Sequence, residues 1–206
     1  MMTFATKAGW SRRVTVLDGL VRRFEEDPGL VAHGNRVADL AAAVGQRMDL
    51  TQERLRRLRI ACTLHDIGKV DVDQIVLFKP GPLEDVEWNE IRRHPELGFR
   101  MLHGLVHPEI ANAVLCHHER FDGYGYPGGR SGTDIPLLSR ILSVADAFDA
   151  ITSDRCYQPA LPVEYALAEI RRHGGTQFDP EVVESLEGLA SLFGFGPRPL
   201  LATSVA

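Results

Sequence analysis

The hexapeptide HDIGKV, residues 65–70, follows the apolar run Ile60-Ala61-Cys62-Thr63-Leu64. An imidazole, a carboxylate and an ammonium therefore stand where the hydrophobic pattern carries a helix into the core. Such groups are costly inside a protein unless they are paired or bound to a cation. The fold and the function both turn on what surrounds this stretch.

On either side of it, apolar residues recur at spacings of three and four, the period of a helix face. Val14, Leu17, Leu20, Val21 and Phe24 predict a first helix, ended by Asp27-Pro28-Gly29. A second runs from about Leu30 to Arg47, with Val37, Leu40, Ala41 and Val44 on one face. A third runs from Arg54 to Leu64 behind Thr51 as N-cap. After the turn KPGPL, residues 84–93 form a short helix, and Pro95 and Pro108 each open another at its first position. Residues 121–136, FDGYGYPGGRSGTDIP, are a glycine-rich loop, and helices follow over about 138–153, 163–173 and 180–193. Nothing alternates with the period of a strand. The expected architecture is an all-α single domain without repeats or linkers.

The 206 residues suffice for one buried core. Lys and Arg number 23 against 28 Asp and Glu, a formal net charge of -5 with no basic block, which argues against a nucleic-acid polymer as partner. A small anionic substrate stays open, since a local site can be positive on an acidic protein. Cys62, Cys116 and Cys156 lie far apart and read as small buried hydrophobes in a reducing compartment, with no thiolate metal site. No apolar leader and no run approaching ~18 apolar residues is present, so the expected location is cytoplasmic, away from membranes.

Several polar residues break the pattern. His33 shares the apolar face of Val37, Leu40, Ala41 and Val44; His65 and Asp66 close the third helix in the same inward sense. His117 and His118 end the helix PEIANAVLCHHE, and Asp146 sits in RILSVADAFDAITS, apolar on nearly every side. Singly, an inward histidine is more often a hydrogen-bonded core residue than a ligand. Together with His94, these histidines and aspartates explain one another as donors to metal. Imidazole and carboxylate without thiolate suit iron, manganese or zinc, and seven donors fit two cations sharing a carboxylate. Lys69 would add positive charge beside a phosphoryl group. The alternative for Lys69 is a solvated side chain behind a helix cap at Gly68.

His65-Asp66 with Lys69 resembles the signature of the HD phosphohydrolases, and His117-His118-Glu119 followed by Gly125-Tyr126-Pro127 is similar to the HD-GYP subfamily. The likeness continues through KPGPLEDVEWNEIRRHPELG, IPLLSRILSVADAFDAITSDR and GGTQFDPEVV, covering about residues 30 to 186. The resemblance implies a bundle of about seven to nine helices around a binuclear centre, and hydrolysis of cyclic di-GMP to linear pGpG, to GMP, or to both. Carried over by position, one metal would be held by His33, His65, Asp66 and Asp146, and the other by Asp66, His94, His117 and His118. Asp66 would be the bridge and, with Lys69, catalytic. The nucleophile would be a metal-bridging hydroxide. The implied metals are iron or manganese, with zinc or nickel as alternatives. Lys69, Gly125, Tyr126, Pro127 and Arg155 would contact substrate, and a diguanylate cyclase or an upstream sensor would be the protein partner.

The chain also departs from the family. Where some members place a glutamate for a third metal it has Gly29, so two metals are expected. Where a basic residue is common it has Gln158, which weakens the grip on a doubly anionic substrate and keeps open a weakly active or inactive domain that binds cyclic dinucleotides or docks a partner. Action on another nucleotide is a third reading, which the GYP loop argues against. The expected division is an N-terminal helical segment 1–28, the HD-GYP domain 29–193 and a tail 194–206, either freestanding or a fragment. The first helix is expected to pack on the bundle rather than form a homodimer seam, because one apolar face on a short helix is ordinary core material.

Overall fold

Asp27 both ends one helix and starts the next. Its Oδ1 accepts from the backbone N–H of Gly29 at 2.9 Å and of Leu30 at 3.1 Å, capping a helix whose first residue is Pro28. The second helix thus begins at Pro28 rather than Leu30, and the Asp27 carboxylate is engaged as a cap. The computed structural model describes residues 4–77, 79–154 and 159–192, with side chains from residue 15 onward. The tail 194–206, Arg155, Cys156 and Gln158 lie outside the described residues.

The elements are α1 (Phe4–Glu25), α2 (Pro28–Arg47), α3 (Gln52–Leu64), a 3-10 turn (Ile67–Asp71), α4 (Gln74–Leu77), α5 (Asp85–Ile91), α6 (His94–Leu102), α7 (Pro108–Leu115), α8 (Leu137–Thr152), α9 (Val163–Arg172) and α10 (Pro180–Leu192). Among the described residues the only strand-like pairing is an isolated bridge between Gly174 and Phe178. The all-α expectation holds. The single turn α4 and the 3-10 turn are additions that periodicity over so few residues cannot reveal. No helix among the described residues is long and apolar enough to cross a membrane.

Two apolar clusters hold the bundle together. The larger joins α2, α3, α7, α8, α9 and α10 through residues such as Val37, Ala41, Leu58, Ala113, Leu142, Ala145 and Ile170. Leu58 and Leu142 are fully buried, and truncating either to alanine would cost about 2–5 kcal/mol. The smaller gathers Phe24, Leu64, Ile67, Leu102, Ala111 and Val114, with Leu17 and Leu20 of α1 packed against it. Arg23 of α1 also donates to the Val70 carbonyl at 2.6 Å and pairs with Asp71 at 2.9 Å. The last turns of α1 therefore pack within the chain.

Cys62 belongs to the larger cluster, Leu64 and Ile67 to the smaller, so His65 and Asp66 emerge at the junction. Gly68 fixes what faces them. A Cβ there would stand 2.0 Å from the His94 carbonyl oxygen and 2.7 Å from the Gly98 nitrogen. Only glycine lets the 3-10 turn lie this close to α6, which brings Asp66 and Lys69 opposite His94.

Candidate metal centre

Three of the candidate histidines hang from helix ends. The Nδ1 of His65 lies 2.7 Å from the Cys62 carbonyl oxygen, that of His94 2.7 Å from Ile91 O, and that of His117 2.6 Å from Val114 O. Each partner is a last-turn carbonyl that the helix itself leaves unpaired. A carbonyl only accepts, so each Nδ1 carries the hydrogen and each Nε2 keeps its lone pair. For His117 this depends on α7 stopping at Leu115, so that His117 and His118 lie in the turn beyond rather than within the helix. His94 opens α6, which moves Pro95 to the second helical position.

Those lone pairs converge. His94 Nε2 stands 3.1 Å from His117 Nε2, a contact between two acceptors that is repulsive unless a cation is shared between them. His94 Nε2 is also 3.3 Å from Asp66 Oδ1, and His65 Nε2 is 3.4 Å from Asp66 Oδ2, so the two oxygens of one carboxylate face two different histidines. His33 Nε2 lies 3.1 Å from Asp146 Oδ1, which is 3.9 Å from His65 Nε2. Donors about 2.1 Å from a common cation stand ~3–3.5 Å apart, the range of every separation here but that of His65 and Asp146. Ligand atoms of His94, His117 and His118 all fall within 4.8 Å of one another, as do those of His33, His65 and Asp66.

Protonation favours the same use. Burial pushes His94 down to about 3 and His118 to about 4, against the pull of nearby carboxylates. Burial and the neighbouring histidines hold His117 well below the usual imidazole range. Burial alone would raise Asp66, but Lys69 and the surrounding histidines overcome it and keep the carboxyl well below its usual range. Asp146 is likewise depressed, burial being outweighed by His33 and His65. Neutral imidazoles and ionised carboxylates are the forms that bind a divalent cation.

His33 differs. Its Nδ1 is 2.7 Å from Asp149 Oδ2, a carboxylate also bound by Arg36 Nε at 2.7 Å, Arg36 Nη2 at 2.9 Å and Ser153 Oγ at 3.1 Å. Burial lowers the His33 pKa, but hydrogen bonds to Asp146 and Asp149 win and raise it to about 9. Sequence reasoning missed Asp149 and Arg36. The signal was the three-residue spacing of Asp146 and Asp149, which puts both carboxylates on one face of α8.

Lys69 points at this centre rather than into solvent, with Nζ 2.6 Å from Asp66 Oδ2. The glycine-rich loop closes another side. Glu119, buried and not anticipated, accepts from Gly128 N at 2.7 Å and Arg130 N at 3.1 Å, fastening the loop from beneath. A Cβ at Gly125 would stand 2.3 Å from Arg120 N, so the chain can fold back on itself only with glycine there. The Tyr126 ring stacks on His118 at 4.9 Å, and the Arg92 guanidinium lies 5.7 Å from that ring and 6.0 Å from Trp88. Tyr126 thus adjoins the donor set, whereas Pro127 is exposed on the rim.

The sequence profile of the HD domain matches residues 24–182. The chain belongs to the HD-domain family. This HD domain is 40% identical over 179 residues to the cyclic di-GMP phosphodiesterase response regulator RpfG of Xanthomonas campestris pv. campestris, covering 85% of this chain and 47% of that protein. It is 38% identical over 156 residues to a cyclic di-GMP phosphodiesterase of Thermotoga maritima, covering 74% of this chain and 42% of the relative. The chain therefore spans less than half the length of either. Among solved structures, a cyclic GMP-AMP specific phosphodiesterase of V. cholerae, V-cGAP3, shares the fold with a TM-score of 0.63 at 23% identity, over 79% of this chain and 44% of that one. The HD-GYP resemblance and the helical architecture stand with these relatives.

Proposed function

We propose that this chain is a phosphodiesterase that hydrolyses cyclic di-GMP to linear pGpG, and on to GMP, at a centre of two divalent cations, iron or manganese. The observation that carries this reading is the 3.1 Å approach of His94 Nε2 to His117 Nε2, with both rings turned by carbonyls so that lone pairs meet. His33, His65, Asp66 and Asp146 would hold one cation, and Asp66, His94, His117 and His118 the other. Together the cations would supply a deprotonated water nucleophile near neutral pH and stabilise charge on the phosphoryl oxygens.

The protein's own groups have separate tasks. Asp66 presents one oxygen to each half of the donor set, which ties the halves to a common geometry. Lys69 keeps Asp66 ionised and sets positive charge at the place where a phosphodiester oxygen would gain charge. The Tyr126–His118 stack forms one wall of the site. The names of the relatives support a cyclic dinucleotide as substrate.

The test is to purify the protein without chelators and count metals by elemental analysis. Cyclic di-GMP is then added with manganese or anaerobic ferrous iron, and products are followed by chromatography. Two metals per chain and a linear product are expected. Two metals with nucleotide bound but uncleaved would replace this reading with that of a binding domain.

A further inference from the structure

A cleft of about 420 Å³ opens beside His118 and Asp146, between α8 and α9. Its floor is apolar, from Ala150, Ile151, Ile170 and Phe178, and Glu169 and Gln177 stand among its polar groups. An apolar pocket of this size with a few convergent polar groups is the usual form of a small-molecule subsite. Neither Glu169 nor Gln177 belongs to the donor set.

Gln177 has a fixed orientation. Its Oε1 accepts from Arg120 Nη1 at 3.3 Å, and a guanidinium offers no acceptor, so the amide turns its oxygen toward Arg120 and its NH2 away. Arg120 is itself held by both oxygens of Asp122, at 3.0 and 2.6 Å. Backbone bonds from Phe121 N to Gln177 O at 3.1 Å and from Asp122 N to Thr176 O at 2.8 Å lock this turn to the glycine-rich loop. Among the described residues the Gln177 NH2 has no acceptor. Glu169, on α9, is held by Arg172 on both oxygens, Nε donating to Oε2 at 3.2 Å and Nη2 to Oε1, and as a carboxylate it can only accept, through the lone pairs that Arg172 leaves.

A flat ring on the apolar floor that answers both residues needs acceptors on one edge and N–H donors on the next. Guanine has O6 and N7 on one edge and N1–H and N2–H2 on the adjoining one. Adenine places an N6–H2 donor beside N7 and a bare N1 acceptor, which a carboxylate repels. We propose that this cleft is a nucleobase subsite selective for guanine, in which Gln177 donates to O6 and N7 and Glu169 accepts from N1–H and N2–H2. The proposal rests on the reading of the neighbouring centre as one that acts on a cyclic dinucleotide. The phosphate would lie at the His118 and Asp146 edge of the cleft, within reach of the metal donors.

Gln177→Glu is nearly isosteric, keeps an acceptor for Arg120 and replaces the NH2 donor by an acceptor. Affinities of metal-loaded wild type and variant for cyclic di-GMP and cyclic di-AMP are compared by calorimetry, or as KM where turnover is fast. The wild type is expected to prefer cyclic di-GMP, and the variant to lose about 10–100-fold in affinity for it while cyclic di-AMP changes little. An unchanged preference, whether both affinities fall or neither does, overturns the proposal, as does a wild type that binds both equally or neither. Selective binding without hydrolysis would break the functional reading and leave the subsite standing. Hydrolysis with a preference that Gln177→Glu does not alter would break the subsite alone.

Discussion

The two halves of the metal centre share one way of orienting a histidine, and the half that holds His33 adds a second. His94 and His117 are braced by carbonyls of the helices from which they hang, whereas His33 is braced by the side chain of Asp149, itself gripped by Arg36. A backbone brace uses a group that the helix end leaves unpaired in any case, and no substitution removes it. A carboxylate brace adds negative charge, strengthens the ligand and can be tuned by mutation. The first half is therefore set by where helices stop, and the second partly so, through His65 on the Cys62 carbonyl, and partly by the side chains around His33.

Asp66 joins the halves, so its loss should have the largest effect. Asp66→Ala removes a donor from both sides and leaves Lys69 without its 2.6 Å partner. Both metals should be lost on gel filtration and hydrolysis abolished, as read by elemental analysis and product chromatography. Retention of two metals per chain would show that the halves do not depend on a shared carboxylate, and the assignment of Asp66 as bridge would fall.

The same contrast explains what the sequence discloses. His33, His65, Asp66, His117, His118 and Asp146 could be read because each interrupts an apolar pattern, and burial of such groups demands a reason, whereas His94 joins them as a histidine at a helix end. The longer helices were legible from their period, and α6 and α7 from the prolines in their first turns. Asp149 was not, because Asp146 already accounted for a carboxylate in that apolar helix, and its partner Arg36 lies 113 positions away. Gly68 and Glu119 act through contacts between segments that are apart in the sequence, the first against α6 and the second under the loop, and single-residue spacing carries no record of these. The double use of Asp27-Pro28-Gly29 is hidden because Pro28 suits the end of one helix as well as the first turn of the next.

Asp149→Asn should separate the halves. The amide still meets His33 but carries no charge, so one metal should bind about 10–100-fold more weakly while the other, at His94, His117 and His118, keeps its affinity. Titration of metal-stripped protein with manganese would then resolve two steps where the native protein shows a narrower pair. Equal weakening of both steps would mean that the brace acts on the whole centre and that the distinction between the halves is one of geometry only.

Proton competition gives a smaller and graded effect, with a sign that differs between the halves. In the metal-stripped protein His33 holds its proton up to about 9, because Asp146 and Asp149 stabilise the charged ring more than burial opposes it. Below that pH a cation reaching Nε2 must displace a proton, so its apparent affinity should rise about tenfold per pH unit and level off near 9. His94 and His118, at about 3 and 4, are already neutral between pH 6 and 8, so the half they serve releases no proton from them and should bind with little pH dependence. Calorimetric titrations in buffers of different ionisation enthalpy would count the protons released at each step. Release confined to one step supports the division of the centre, and equal release at both would place the proton on the shared carboxylate instead of on His33. Asp149→Asn weakens the support for that proton, so the affinity should level off at a lower pH in the variant while its value above pH 9 stays below the native one. The brace then acts in two opposed ways, holding the ring for metal and holding a proton against it, and the second is the cost of using a charged side chain where the other half uses a carbonyl.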